Sequence, residues 1–220
     1  MKAVFLVFSP SGHTLLAVRQ FMSSLEGKGI MCRMINITKN DNYIHECTLK
    51  QTLAKDLDEH QLLVPYAPVY AGHCEGNILR VIRSLPLQTD NQIPAIPLVT
   101  YGGVHSSVAP EEMGRSLRSR NYTPIMGVKI AAEHTLTTTC RNRINPHMPS
   151  NTEKRILTEA AAMAKSVVNG NTAALYAGKA LAYAPLPKRL RLQENCFRMA
   201  LPSSKIRNPS SIVKQSLIYR

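Results

Sequence analysis

The chain has no tryptophan, and aromatic residues make up only 5% of it. Any stacking on a flat ligand would therefore fall to its tyrosines and phenylalanines. Its five cysteines (Cys32, Cys47, Cys74, Cys140 and Cys196) contain no C-x-x-C pair. That spacing argues against a zinc site and a cysteine-ligated cluster, and for free thiols in a reducing cytoplasm. No two histidines stand at i, i+4 with a carboxylate between them, so no metal is expected. No apolar run approaches the ~18 residues of a membrane span. The run after Lys2 breaks at Ser9-Pro10, too short for a secretory h-region. A protein of the cytoplasm with no membrane span is the expectation.

Acidic residues are also scarce, 14 against 27 Lys and Arg, for a net charge of +13. The excess is uneven. Residues 185–220 hold eight basic side chains against Glu194 alone, which is +7 of the +13. Such a tail suits an acidic protein or an anionic membrane surface, or is a solvated strap packed on the domain; few aromatics interleave its charges, which makes nucleic acid the poorer fit. Pro, Ser and charge dominate there, and no second core is evident. The division expected is a domain over residues 1–170 and a helical or irregular basic extension over 171–220.

What is present is alternation. Residues 4–8, Val-Phe-Leu-Val-Phe, are five uncharged strand formers, suited to a strand buried on both faces of a parallel sheet. The segment from Thr14 puts Leu15, Val18, Met22 and Leu25 on one helical stripe. Strands are expected at 30–37, 61–67, 95–101 and 123–132, with loop at 39–43. Helices are expected at 49–57, at 77–85 (capped by Asn77, with Ile78, Val81, Ile82 and Leu85 inward), and from Pro110 to about Arg120. A last one follows the capping box Ser150-Asn151-Thr152-Glu153, with Ile156, Ala160, Met163 and Val167 on one face. Five strands alternating with helices predict an α/β three-layer sandwich, a parallel sheet in the order 2-1-3-4-5.

In that order strands one, three and four are neighbours, and their carboxyl-end loops border one crevice. The first loop, Ser9-Pro10-Ser11-Gly12-His13-Thr14, joins strand to helix with hydroxyls and a glycine. Such a junction holds a phosphate on backbone amides and the helix dipole without any Lys or Arg. It has neither the Gly-Lys-Ser/Thr of a P-loop nor a Gly-x-Gly-x-x-Gly fingerprint. The other two loops each set an aromatic beside glycine, in Tyr70-Ala71-Gly72 and Tyr101-Gly102-Gly103. Ring faces plus glycine-freed backbone suit a planar, polar-edged ligand.

The first loop resembles the Ser/Thr-x-Ser/Thr-Gly-x-Thr phosphate loop of flavodoxins. Pro68-Val69-Tyr70-Ala71-Gly72, Val99-Thr100-Tyr101-Gly102-Gly103 and Glu133-His134-Thr135 stand in the order and at spacings similar to the flavodoxin domain of flavodoxin/ferredoxin fusion flavoproteins. The resemblance covers about residues 1–170. It implies FMN, with the phosphate on Ser9, Ser11, Gly12, His13 and Thr14. The ring would lie against Pro68, Val69, Tyr70, Ala71, Gly72, Thr100, Tyr101, Gly102 and Gly103. It further implies electron transfer or a flavin-dependent oxidoreductase, the flavin itself supplying the chemistry and no side chain acting as catalytic acid, base or nucleophile.

The departures have consequences. The cluster-binding cysteine run that follows the flavin domain in those fusions is missing, Cys196 standing alone, so the redox partner is expected to be separate: a ferredoxin-like protein or NAD(P)H. His13 stands where Asn is usual, which a backbone contact survives. The charge is basic where ordinary flavodoxins are acidic. A flavin-free binding or regulatory module acting through the basic tail is the alternative. A serine hydrolase using Ser9 or Ser11 is disfavoured, since no Gly-x-Ser-x-Gly elbow is present. His73, His105 and His134 are solvated or structural histidines first and proton carriers second. Arg141 and Arg143 are surface charge first and ligands for a donor's phosphate second. Cys74 is a packing residue before it is a redox thiol.

Overall fold

The computed structural model describes residues 1–10, 12, 15–57, 59–89, 92–101, 106–131 and 151–170. Strand β1 (Lys2–Val7) is buried from Ala3 onward, as an uncharged run flanked by two strands must be. It pairs in parallel with β2 (Met31–Asn36) from Lys2–Met31 to Val7–Asn36, and with β3 (Leu62–Tyr70) from Ala3–Leu62 to Val7–Tyr66. Its side chains alternate between two cores with the strand's period of two. Ala3, Phe5 and Val7 join one cluster; Val4 and Leu6 join the other.

The first cluster is roofed by α1 (Leu15–Glu26) and α6 (Asn151–Val168), and Phe21 of α1 meets Phe5 edge-on at 5.7 Å. The second is roofed by α2 (Asp41–Ile44), α3 (Glu46–Asp56), α4 (Gly76–Arg83) and α5 (Ala109–Arg118). Helices on both faces of a mostly parallel sheet are the expected three layers.

The sheet has eight strands rather than five. The expected fourth strand is β5 (Ile93–Ala95) plus β6 (Leu98–Tyr101), and the expected fifth is β7 (Tyr122–Pro124) plus β8 (Val128–Ala131). Both halves of the fourth keep one register against β3, Leu63 with Ala95 and Tyr66 with Leu98. Against the fifth the register slips by one: Ala95 pairs Pro124, whereas Leu98 pairs Val128. The slip is a bulge, placed where Pro97 lacks a donor and Gly127 lets the backbone adjust. The eighth strand is β4 (His73–Cys74), antiparallel to the end of β3. Counting each split pair once, the order is the expected 2-1-3-4-5.

Several boundaries differ. Residues 39–43 hold a helical turn, α2, because the Asn40 carboxamide accepts the Asn42 N–H at 3.1 Å and Tyr43 is buried. Helix α3 begins at Glu46, earlier than expected, and α5 ends at Arg118 rather than about Arg120. Strand β3 runs on to Tyr70, through Pro65 and Pro68; Pro68 lies past the last β1 pair and takes nothing from that ladder. Helix α4 is capped by Glu75, not Asn77, its carboxylate accepting from Asn77 N (2.7 Å) and Ile78 N (3.2 Å). The buried stripes are rotated from expectation: Ala17 and Phe21 join Val18 and Leu25 in α1, and Leu157, Ala161 and Ala164 join Ala160 and Val167 in α6. Leu15, Met22, Ile156 and Met163 are only partly buried, at the cluster's margin. Ser150 of the capping box, residues 133–149 and residues 171–220 lie outside the described residues. Among the described residues, no helix is long and apolar enough to cross a membrane.

His60, just before β3, stacks on Tyr122 with ring centroids 5.7 Å apart. Its Nδ1 faces the Leu57 carbonyl at 2.5 Å, while Nε2 is buried with no hydrogen-bond partner. Burial pushes the imidazole's pKa below its ordinary value; the Leu57 bond opposes this and Lys2 adds to it. The unfolded chain therefore takes up a proton that the folded chain resists. Stability from this site is full above about pH 6.5 and falls as pH drops through the unfolded histidine's range. Urea midpoints between pH 7.5 and 5 should fall less steeply in His60→Phe than in the natural chain. Equal slopes would contradict the assignment.

Candidate functional site

Parallel pairing of β1, β3 and β6 puts their carboxyl ends in adjacent strands, about 4.8 Å apart. At the first of these ends the chain leaves the sheet through Phe8, whose N–H donates to the Tyr66 carbonyl at 3.0 Å. Ser9 follows, 5% exposed, its N–H donating to Thr38 Oγ1 at 2.7 Å. Gly12 then turns with φ +75°, its N–H on the Ser9 carbonyl (3.3 Å) and its carbonyl receiving the first N–H of α1, from Leu15 (3.1 Å). Among the described residues, nothing lies within 4 Å of where a Cβ on Gly12 would stand. Backbone a side chain would shield is thus open to a ligand. Ser11, His13 and Thr14 lie outside the described residues.

The second loop is a hairpin. Val69 pairs Cys74 and Tyr70 pairs His73, leaving Ala71 and Gly72 as a two-residue connection. Their φ values, +49° and +87°, make it a type I′ turn. Alanine in the left-handed region costs roughly 1 kcal/mol, and Ala71 is exposed with no packing to offset this. Ala71→Asn, restoring the Asn-Gly pair this turn prefers, should stabilise by about 0.5–1 kcal/mol. A higher urea midpoint at unchanged slope would report it; a lower midpoint would mean the methyl group has a role. Tyr70 stands 43% exposed at the hairpin's shoulder. Burial, then the Glu75 carboxylate, pushes its phenol pKa up, keeping the hydroxyl protonated.

The third loop begins at Thr100, which pairs Pro68, and at half-buried Tyr101. Thr100 is buried, its Oγ1 2.9 Å from the Tyr66 hydroxyl, and that contact ties β3 to β6 beneath the edge. Gly102, Gly103 and His105 lie outside the described residues. Ser106 resumes the chain, buried, its carbonyl accepting the Ala109 N–H at 3.2 Å.

The topology therefore brings Ser9, Gly12, Tyr70, Ala71, Gly72, Thr100 and Tyr101 to one edge. Cys74 is buried and its thiol pushed far up, first by burial and then by Glu112 and Glu75, which keeps it an unreactive packing group. Burial likewise pushes the Cys32 thiol up to about 12. Among the described residues, no three His, Cys, Asp or Glu side chains are grouped to hold a metal.

Two residues at this edge carry no flag in the sequence. Thr38, after β2, holds the Ser9 amide, and a lone threonine in a turn has no pattern to find it by. Beside it, Asn36, Thr38, Lys39, Asn40, Asp41 and Asn42 line a polar cleft of about 530 Å³. Glu112 reads as a dipole-complementing acid in the first turn of α5. In the structure its Oε1 lies 2.7 Å from His73 Nδ1 and its Oε2 accepts the Cys74 N–H at 2.9 Å, so it grips the hairpin. A larger cavity, about 650 Å³, opens at the opposite edge between His60, Gln88, Gln92 and Pro94. Two of its three glutamines, Gln88 and Gln92, bond to Tyr122 and Asn121.

The sequence matches no protein-family model and no curated protein. The fold has solved counterparts. The rubredoxin oxygen:oxidoreductase of Desulfovibrio gigas superposes with a TM-score of 0.54 at 10% identity, over 80% of this chain and 37% of that one. A short-chain flavodoxin associated with a non-canonical PDU bacterial microcompartment gives 0.52 at 14%, over 78% of this chain and 99% of that one. A flavone reductase gives 0.53 at 12%, over 76% and 64%. The chain spans little more than a third of the Desulfovibrio oxidoreductase. At these identities the likeness is one of architecture: the fold is flavodoxin-like.

Proposed function

We propose that this flavodoxin-like chain binds FMN at the carboxyl edge of its sheet and serves in electron transfer or as a flavin-dependent oxidoreductase. The observation that carries the reading is the Tyr70–His73 hairpin. A type I′ turn, exposed at Ala71 and shouldered by a half-exposed Tyr70, stands in the strand next to Thr100-Tyr101 and one strand from the Gly12 turn. The fit to FMN rests on Gly12, whose exposed left-handed backbone has open space beside it among the described residues, room for a phosphate at the helix mouth. Residues 9–14 would hold the phosphate, and Pro68–Gly72 with Thr100–Gly103 would flank the ring. Bound there, FMN accepts and returns electrons; that is its chemistry, not the protein's. The protein's own part is to hold the phosphate without a fixed cation, present the ring's polar edge to backbone, and keep the Tyr70 hydroxyl protonated.

The electron donor in this proposal is a separate protein of ferredoxin type or NAD(P)H, and residues 185–220 are the segment for an acidic partner. A cytoplasmic setting belongs to the same proposal. The test is reconstitution. Protein freed of small molecules and incubated with excess FMN should emerge from desalting yellow, with close to one flavin per chain. Colourless protein would reject the reading and favour a binding module acting through its basic tail.

A further inference from the structure

Both oxygens of the Glu112 carboxylate are committed to the hairpin rather than to the amino end of its own helix. Oε1 meets the His73 ring at 2.7 Å, and Oε2 takes the Cys74 amide at 2.9 Å. These are adjacent residues of β4, the returning limb of a hairpin whose turn holds Ala71 in a strained left-handed conformation. The limb is only two residues long and pairs with β3 at just two positions, Val69–Cys74 and Tyr70–His73. A ladder that short does not hold a strained turn by itself. A charged acceptor gripping two successive donors supplies the missing constraint, because hydrogen bonds to a carboxylate are about twice as strong as neutral ones.

We infer that Glu112 is a positioning residue for the flavin: through His73 and Cys74 it fixes the hairpin that sets Tyr70, Ala71 and Gly72 against the ring. The inference rests on the FMN reading above. It makes α5 part of the binding apparatus, although Glu112 acts only through the hairpin it holds. It also gives His73 a defined task, as the handle by which the hairpin is held, with its Nδ1 turned to α5.

Glutamine and alanine at this position separate positioning from bulk stability. Glu112→Gln keeps an acceptor for the Cys74 amide and, through its NH₂, a donor for the other His73 tautomer. Glu112→Ala leaves both groups unheld. FMN titration well below the melting temperature should show Glu112→Ala weakened about 10-fold and Glu112→Gln within about 3-fold of the natural chain, as loss of a charge-assisted bond implies. In the flavin-free protein, amide hydrogen exchange at Cys74 should be faster in Glu112→Ala and little changed in Glu112→Gln. A simple loss of stability would not single out that amide. Affinity within 2-fold of natural in Glu112→Ala overturns the inference, as does a Cys74 amide that stays protected. If the natural chain takes no FMN at all, the functional reading fails as well; if it takes FMN and Glu112→Ala binds equally, only the inference fails.

Discussion

Gly12→Asp should weaken FMN binding by about 100-fold and leave the fold standing. Asparagine and aspartate tolerate left-handed backbone better than other side chains, and no atom of the described residues lies within 4 Å of the new Cβ. The substitution therefore adds a carboxylate at the mouth of the first loop, with a backbone strain that Gly12→Asn shares. Opposite a phosphate carrying nearly two charges at ~4 Å, a surface carboxylate repels by as much as ~4 kcal/mol per unit charge, less what solvent screens. Gly12→Asn has the same shape and no charge, and should stay within a few-fold of natural. If Asp and Asn weaken FMN equally, the effect is steric and the phosphate lies elsewhere. Raising salt should narrow the gap between the two variants.

Phe5→Ala should carry the largest stability cost among single changes to the described core, about 3–5 kcal/mol. Phe5 is fully buried at the centre of β1 and packs edge-on to Phe21, joining the sheet to α1. Domains of this size have stabilities of roughly 5–15 kcal/mol, so the variant should melt about 10 °C lower and sit near the folding threshold. Phe5→Leu, which keeps most of the volume, should cost less than half as much. A melting point within 2 °C of natural for Phe5→Ala would mean β1 is not the spine of the sheet.

Much of this fold is legible in the sequence because burial on two faces leaves a plain mark. The uncharged run at residues 4–8 has no other place to go in an α/β domain, and the stripe through Val18 and Leu25 reports α1 to within a turn. The splitting of the fourth and fifth strands is not legible. It depends on a register slip between chains at Pro97 and Gly127, which is a property of pairing and leaves no local pattern. The rotation of α6 toward Leu157, Ala161 and Ala164 is hidden for a related reason. Alanines pack closely where a helix crosses a sheet, but carry too little hydrophobicity to mark the buried face by themselves.

The site divides along the same line. That Ser9, Tyr70 and Tyr101 belong to one edge follows from strand order, which alternation and the right-handed crossover rule nearly determine. The hairpin between Tyr70 and His73 was concealed by Ala71, since a type I′ turn usually announces itself with Asn-Gly or Gly-Gly. Glu112 was concealed by its position: an acid in a helix's first turn already has a sufficient local reason to be there. Its role is tertiary, set by where β4 comes back against α5.

The central claim is that one edge holds a phosphate at the Gly12 turn and a flat ring between the Tyr70 and Tyr101 loops. Titration of the flavin-free chain with FMN and, in parallel, with riboflavin tests both halves at once by quenching of flavin fluorescence. FMN should bind with strong quenching and at least 100-fold tighter than riboflavin, the difference being the several charge-assisted bonds a phosphate makes at a helix mouth. Equal affinity for the two, or no quenching by either, would contradict it.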